Sequence, residues 1–208
     1  MGNNIVTAIA TIRGTRPLWW HWFGPDAIPL DDRREKTGKA GNDPETWRRT
    51  TLVTKDGQLW MPGTYAFAVI REGARYTKKG RGSIQLDVIA TLQILTDRIL
   101  VDRWMTGYPN GNTCDLTKID PPPQDPEQST YLDVRMVRNP STKGANICYR
   151  VAASPGWSCS FEIQWDKTII NRAQMEACII DGGKLSGIGS GRKVGMGRFE
   201  LISLEIKE

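Results

Sequence analysis

The side chains best suited to chemistry sit in one stretch, "DGGKLSGIGSGRKVGMGRFELISLEIKE", Asp181 to Glu208. It holds Gly182, Gly183, Gly187, Gly189, Gly191, Gly195 and Gly197, with Lys184, Arg192, Lys193 and Arg198 among them and no acid from Gly182 to Arg198. Three readings compete. The glycines could supply positive φ in tight turns, they could form a flexible tether, or they could let backbone N–H groups approach an anion while Arg and Lys neutralise it. A tether is disfavoured because the chain beyond the glycines, Arg198 to Ile206, reads as a single strand. A mononucleotide loop is disfavoured too, since no G-x-x-x-x-G-K-[ST] is present. A dinucleotide fingerprint follows a strand and opens a helix, whereas this stretch does the reverse. A polyanionic backbone remains, and RNA or single-stranded DNA supplies one.

A second basic cluster strengthens that reading. Arg71, Arg75, Lys78, Lys79 and Arg81 face only Glu72 within eleven residues, while the whole chain carries +5. Together the two segments hold a surplus of eight, so the remainder is acidic. Charge concentrated in this way points to an anionic partner. Trp19, Trp20 and Trp22, followed by Phe23, form an aromatic cluster that could stack on bases or anchor a core or subunit interface. Cys114, Cys148, Cys159 and Cys178 are scattered, and His21 is the one histidine. Zinc sites want paired ligands at short spacing, so neither a metal nor a cofactor is expected, and the thiols read as reduced.

The elements that must position these groups follow from pattern. Ile5 to Arg16 reads as a strand closed by Pro17, and Leu18 to Thr50 as an extended loop. Asp56-Gly57 marks a hairpin in "TLVTKDGQLWMPGTY". Ala66, Phe67, Ile70, Ala74 and Thr77 then share one helical face, with Arg71 and Arg75 beside them. Ile94 to Trp104 reads as a strand, and Thr106 to Ser129, with "PPPQDPEQ", as a loop. Tyr131 to Val151 gives two strands about "NPSTKG", and Cys159 to Trp165 another. Asn171 and Gln174 have capping-box spacing, with Gly182 expected as the C′ glycine of that helix. The order strand, helix, strand, strands, helix, strand predicts an α+β chain with a ferredoxin-like (RRM-like) βαββαβ core and long insertions at about 18–50 and 105–157.

The 208 residues suit one domain of this kind. With 39% hydrophobic and 25% charged residues and no long apolar run, no membrane association is expected. "MGNNIVTAIATIRG" lacks a signal-peptide pattern, and Val6 spoils a myristoylation motif, so a cytoplasmic location is expected.

"SGIGSGRKVGMGRFEL", at the end of a helix and feeding a last strand, resembles the glycine-rich signature of the RAMP superfamily of CRISPR-associated proteins. "IATIRGTRPLWW" resembles that superfamily's first strand and turn, and "DGQLWMPGTYAFAVIREGARY" the segment opening its first helix. The whole is most similar to the backbone subunit of CRISPR effector complexes. The resemblance implies a subunit that oligomerises along guide RNA in an antiviral ribonucleoprotein, beside complementary target nucleic acid, copies of itself and other effector subunits. It implies RNA contacts from Gly187, Gly189, Ser190, Gly191, Arg192, Lys193, Gly195 and Arg198, with Thr64, Arg71, Arg75, Lys78 and Lys79 along the same groove. Tyr131 to Val151 would be its thumb-like hairpin. One departure stands out: where the family has a Ser-Ser pair and then a cation, this chain has Thr64-Tyr65-Ala66-Phe67, and the first cation is Arg71.

Two other readings stay open. Some members of the superfamily are endoribonucleases, which would give Asp43 of "GNDPETW" a catalytic role, or His21 one in acid–base chemistry. Asp26, Asp31 and Asp32 are further acids of the same loop. Alternatively, the chain is a structural or interaction protein of a mobile element that kept the fold alone.

Overall fold

The computed structural model describes residues 4–24, 43–138 and 144–207. In chain order the first elements are β1 (Ile5–Gly14), β2 (Leu18–Trp19), α1 (Thr46–Thr50), β3 (Gln58–Pro62) and α2 (Gly63–Gly73). Then come β4 (Lys78–Lys79), β5 (Gly82–Ser83), α3 (Gln85–Thr91), β6 (Gln93–Ile94) and β7 (Arg98–Trp104). The remainder comprises β8 (Thr130–Arg138), β9 (Ala145–Ala153), β10 (Ser158–Asp166), α4 (Arg172–Asp181) and β11 (Phe199–Ile206). The architecture is α+β with antiparallel pairing.

Two compact units share these elements. The first comprises Met1–Leu18, Trp60–Asp102 and Pro155–Glu208, and the second Trp19–Leu59 and Arg103–Ser154. The main sheet runs β11-β1-β10-β7-β3, with β6 also paired to β10. β1 lies antiparallel to β10 from Ile5↔Asp166 to Arg13↔Ser158, and its other edge pairs with β11 through a shift at Thr11/Ile12. Period-two alternation sets its faces. Ala8, Ala10 and Ile12 of β1 and Cys159, Phe161, Ile163 and Trp165 of β10 are buried. Between them Thr11 and Ser160 share a hydrogen bond of 2.8 Å on the opposite face, where Arg13 also pairs with Glu200. Burial raises the Cys178 thiol to about 11 and pushes Cys159 up as well, which keeps both protonated.

The helices owe their approach to glycine. α2 buries Ala66, Val69, Ile70 and Gly73 and packs against α4. A Cβ on Gly73 would lie 1.9 Å from the Cys178 carbonyl oxygen and 2.5 Å from the Gly182 nitrogen. Gly73 is the last residue of α2, and no residue with a side chain fits there. The capping box of α4 forms as its spacing predicts: Gln174 N–H donates to the Asn171 side chain, and Asn171 N–H to the Gln174 side chain, both at 2.9 Å. Gly182 departs from expectation. It is right-handed (φ −56°, ψ −46°) and opens a π-helical turn, Gly182–Ser186. Glycine is needed there for close approach and not for positive φ, because a Cβ would meet the Val69 carbonyl oxygen at 2.5 Å. The first glycine of positive φ after α4 is Gly187, φ +84°.

In the second unit β8 and β9 pair from Thr130↔Ala153 to Arg138↔Ala145, and β2 lies on the other side of β9. The expected turn at "NPSTKG" falls mostly outside the described residues. The segment expected as one loop from Leu18 to Thr50 contains β2 and α1, because Trp19, Trp20 and Trp47 need burial and bring short ordered pieces with them. Arg48 lies over the Trp47 ring at 4.4 Å and donates to the Ile119 carbonyl at 2.7 Å and to that of Leu116. Thr106 to Ser129 has neither helix nor strand, as its prolines predict. Asp56-Gly57 makes the expected turn, with Gly57 at φ +81° and a bridge between Val53 and Leu59.

Gly73→Ala should therefore destabilise the fold by about 3 kcal/mol, against about 1 kcal/mol for Gly195→Ala. Gly195 has φ +83° and nothing near its missing Cβ, so only backbone strain applies there. Urea unfolding followed by tryptophan fluorescence measures both, and equal losses would contradict the close-approach account.

Candidate functional site

Five glycines of positive φ shape the loop between α4 and β11: Gly187, Gly189, Gly191, Gly195 and Gly197. The loop folds back on itself and onto the turn after β1. Ile188 N–H donates to the Gly197 carbonyl at 2.9 Å, and Gly197 N–H to that of Pro17 at 2.7 Å. Thr15 and Arg16 N–H groups donate to the Arg198 carbonyl at 2.8 and 3.2 Å. Ile188 is buried and anchors the centre. Gly197 combines φ +67° with a Cβ position only 1.8 Å from the Ile188 carbonyl oxygen, so no side chain can stand there. These contacts make the loop a fixed turn rather than a tether.

Its outer part is a single turn of 3₁₀ helix, Arg192–Val194, held between left-handed Gly191 and Gly195. Val194 N–H reaches the Gly191 carbonyl and Gly195 N–H that of Arg192, each at 3.0 Å. Arg192 and Lys193 are exposed as a result. With Arg198, Leu185 and Ser186 they line an open groove of about 430 Å³ whose remaining wall is Glu72 and Tyr76, at and just beyond the end of α2. No carboxylate among the described residues pairs with Arg192, Lys193 or Arg198. Arg198 Nη1 is buried and lacks a hydrogen-bond partner. Glu72 does not neutralise the groove, because Arg71 and Arg75 each hold one of its oxygens at 3.1 Å. The bond from Arg75, followed by that from Arg71, keeps its carboxyl below the ordinary glutamate range despite partial burial. The Arg192 charge also reaches Tyr65 of α2, whose hydroxyl is pushed up mainly by burial.

The expected site residues divide accordingly. Arg192, Lys193 and Arg198 meet in the groove, while Arg71 and Arg75 adjoin it through Glu72. Gly187, Gly189, Gly191 and Gly195 shape the loop, and Ser190 is half-buried within it. Thr64 lies near the other end of α2, where it lines a separate cavity of about 280 Å³ with Pro62, Gly63, Phe67, Ile94 and Asp97. Lys78 is exposed on β4, and Lys79 pairs with Asp87 at 2.7 Å. Sequence reasoning missed Tyr76 and Leu185. Only their spacing from the basic residues could have marked them.

Of the two readings left open for the aromatic cluster, the burial of Trp19 and Trp20 fits a core anchor. Trp19 and Trp20 are each 3% exposed, so neither offers a face to a base. The indole of Trp19 lies against the guanidinium groups of Arg135 and Arg150, each 4.9 Å from its ring. Trp22 is half-buried. His21 meets Phe23 edge-on at 4.9 Å between ring centres, and burial and then Arg150 lower its pKa. Asp43 accepts from the Glu45 N–H at 3.0 Å and pairs with Arg49, forming an Asx turn that leads into α1. Asp26, Asp31 and Asp32 lie outside the described residues. No cluster of three metal-ligating side chains occurs among the described residues. No described helix is long and apolar enough to cross a membrane.

The open sheet face offers a weaker case than the groove. Thr11, Ser160, Glu162 and Glu200 stand there, with Lys207 on Glu162 at 2.7 Å and Arg13 on Glu200. RNA-recognition sheets instead place stacking aromatics on such a face.

No protein-family model and no curated protein matches the chain. Among solved structures, it is similar to a chain in a cryo-EM structure of the Type III-B Cmr-beta bound to cognate target RNA, at 11% identity and a TM-score of 0.48. The match covers 98% of this chain, which spans 61% of that one.

Proposed function

We propose that this chain is an RNA-binding subunit that holds a single strand by its phosphates in the groove between the glycine-rich loop and the end of α2. One observation carries the reading: Arg192, Lys193 and Arg198, none paired with a described carboxylate, are fixed on a clamped loop and open onto a single groove. Cations carried on a fixed backbone give up less conformational entropy on binding a phosphate chain than those on a flexible one do. The order β11-β1-β10-β7, with α2 and α4 between strands, supports a ferredoxin-like core. On that basis the chain is read as a RAMP-like backbone subunit of a CRISPR effector complex. It would assemble in several copies along guide RNA, with β8 and β9 as its thumb-like hairpin, in the cytoplasm.

Replacing Arg192, Lys193 and Arg198 together by Ala should weaken single-stranded RNA binding and flatten its dependence on salt. The expected change is about two units in the slope of log K against log salt, since a single-strand phosphate contact contributes about 0.7. An unaltered slope would remove the loop from the interface. The assembly reading is checked by purifying the chain beside its genomic neighbours. RNA of uniform length should copurify with several copies of the chain, and a nucleic-acid-free monomer would refute the backbone role.

A further inference from the structure

Tyr76 has no part in the fold's core and none in the proposed phosphate contacts. The residue is 52% exposed, and its backbone is fixed by a hydrogen bond from its N–H to the Gly73 carbonyl at 3.0 Å. It lines the same groove as Arg192, Lys193 and Arg198. Leu185, 47% exposed, is the groove's other large apolar residue. The volume of about 430 Å³ is toward the lower end of the range for small-ligand sites, roughly 300–1,000 Å³. That is the scale of a nucleotide, not of a duplex.

We infer that the groove is a one-nucleotide compartment in which Tyr76 stacks on an unpaired base, while Arg192, Lys193 and Arg198 hold the adjoining phosphate. The inference rests on the RNA-binding reading and adds a base contact to it. Proteins that hold single strands combine a cationic track with aromatic platforms, and stacking tolerates any base because each has a π face. Each wall of the groove matches one part of a nucleotide. Arg198 lines the groove half-buried, and its guanidinium, paired with no described carboxylate, offers a donor to phosphate. Leu185 and the Tyr76 ring supply apolar surface for a base. Glu72, tied to Arg71 and Arg75, keeps two further cations beside the compartment without placing a free carboxylate in it.

The test uses the full chain with Tyr76→Phe, Tyr76→Trp and Tyr76→Leu, each checked for an unchanged thermal unfolding transition. Fluorescence anisotropy follows binding to a uridine homopolymer and to a ribose-phosphate strand of the same length without bases. Tyr76→Phe and Tyr76→Trp should bind the uridine strand within about twofold of the unsubstituted chain. Tyr76→Leu should lose about tenfold, with its salt slope unchanged. On the abasic strand the three variants and the parent should bind alike. A Tyr76→Leu loss of less than about twofold on uridine, or an equal loss on both strands, overturns the base platform and leaves the phosphate reading standing. If the unsubstituted chain binds neither strand, both readings fall.

Discussion

The hydrogen bond from Gly197 N–H to the Pro17 carbonyl holds the candidate site in place. Through it, and through the paired donations of Thr15 and Arg16 to Arg198, the turn after the first strand grips the loop before the last. Without that grip a stretch so rich in glycine would sample many conformations, and its cations would diffuse over a wide volume. With it, Arg192, Lys193 and Arg198 become a fixed array. Trp157 reinforces the same corner: its indole N–H donates to the Arg16 carbonyl at 2.9 Å, and its ring fills the space that a Gly14 side chain would need.

The second wall of the groove depends on helix packing. α2 can present Glu72, and the turn after it Tyr76, to the loop because Gly73 lets the helix close onto α4, and because Gly182 and Gly183 let the chain turn tightly between Val69 and Phe199. The π-helical turn at Gly182–Ser186 carries Leu185 and Ser186 into the lining. π-Helical turns of this kind recur at functional sites. The glycines of this region therefore divide by cause: close packing explains Gly73, Gly182 and Gly183, positive φ explains Gly189, Gly191 and Gly195, and both apply at Gly187 and Gly197.

In the second unit, charged and aromatic groups are used to build structure. Trp19 is flanked by Arg135 and Arg150, and Asp133, itself buried, accepts from Arg135 Nε at 2.8 Å. Arg48 ties the proline-rich segment to α1 through backbone carbonyls. Tryptophans and arginines that resemble a nucleic-acid surface in one dimension are thus consumed locally, whereas the cations of the glycine loop are not.

Local rules carried much of the fold. Alternation in "IVTAIATIRG" and "CSFEIQW" gave the two central strands, the Asn171/Gln174 spacing gave the start of α4, and Asp56-Gly57 gave a turn, because each depends on a few neighbouring residues. The same locality made the glycine loop visible as a basic, acid-free stretch. What the sequence could not supply was partnership at a distance. Burial of Trp19 and Trp20, the loss of Glu72 to Arg71 and Arg75, and the separation of Thr64 from the groove all depend on which surfaces meet. The requirement for glycine at 182 is a further case, since its cause is the Val69 carbonyl of another helix. Sequence thus determined that a basic glycine loop would exist between a helix and a strand. Tertiary structure decided which cations remain free on it and brought Tyr76 to its side, because pairing and exposure are properties of packed surfaces and not of spacing along a chain.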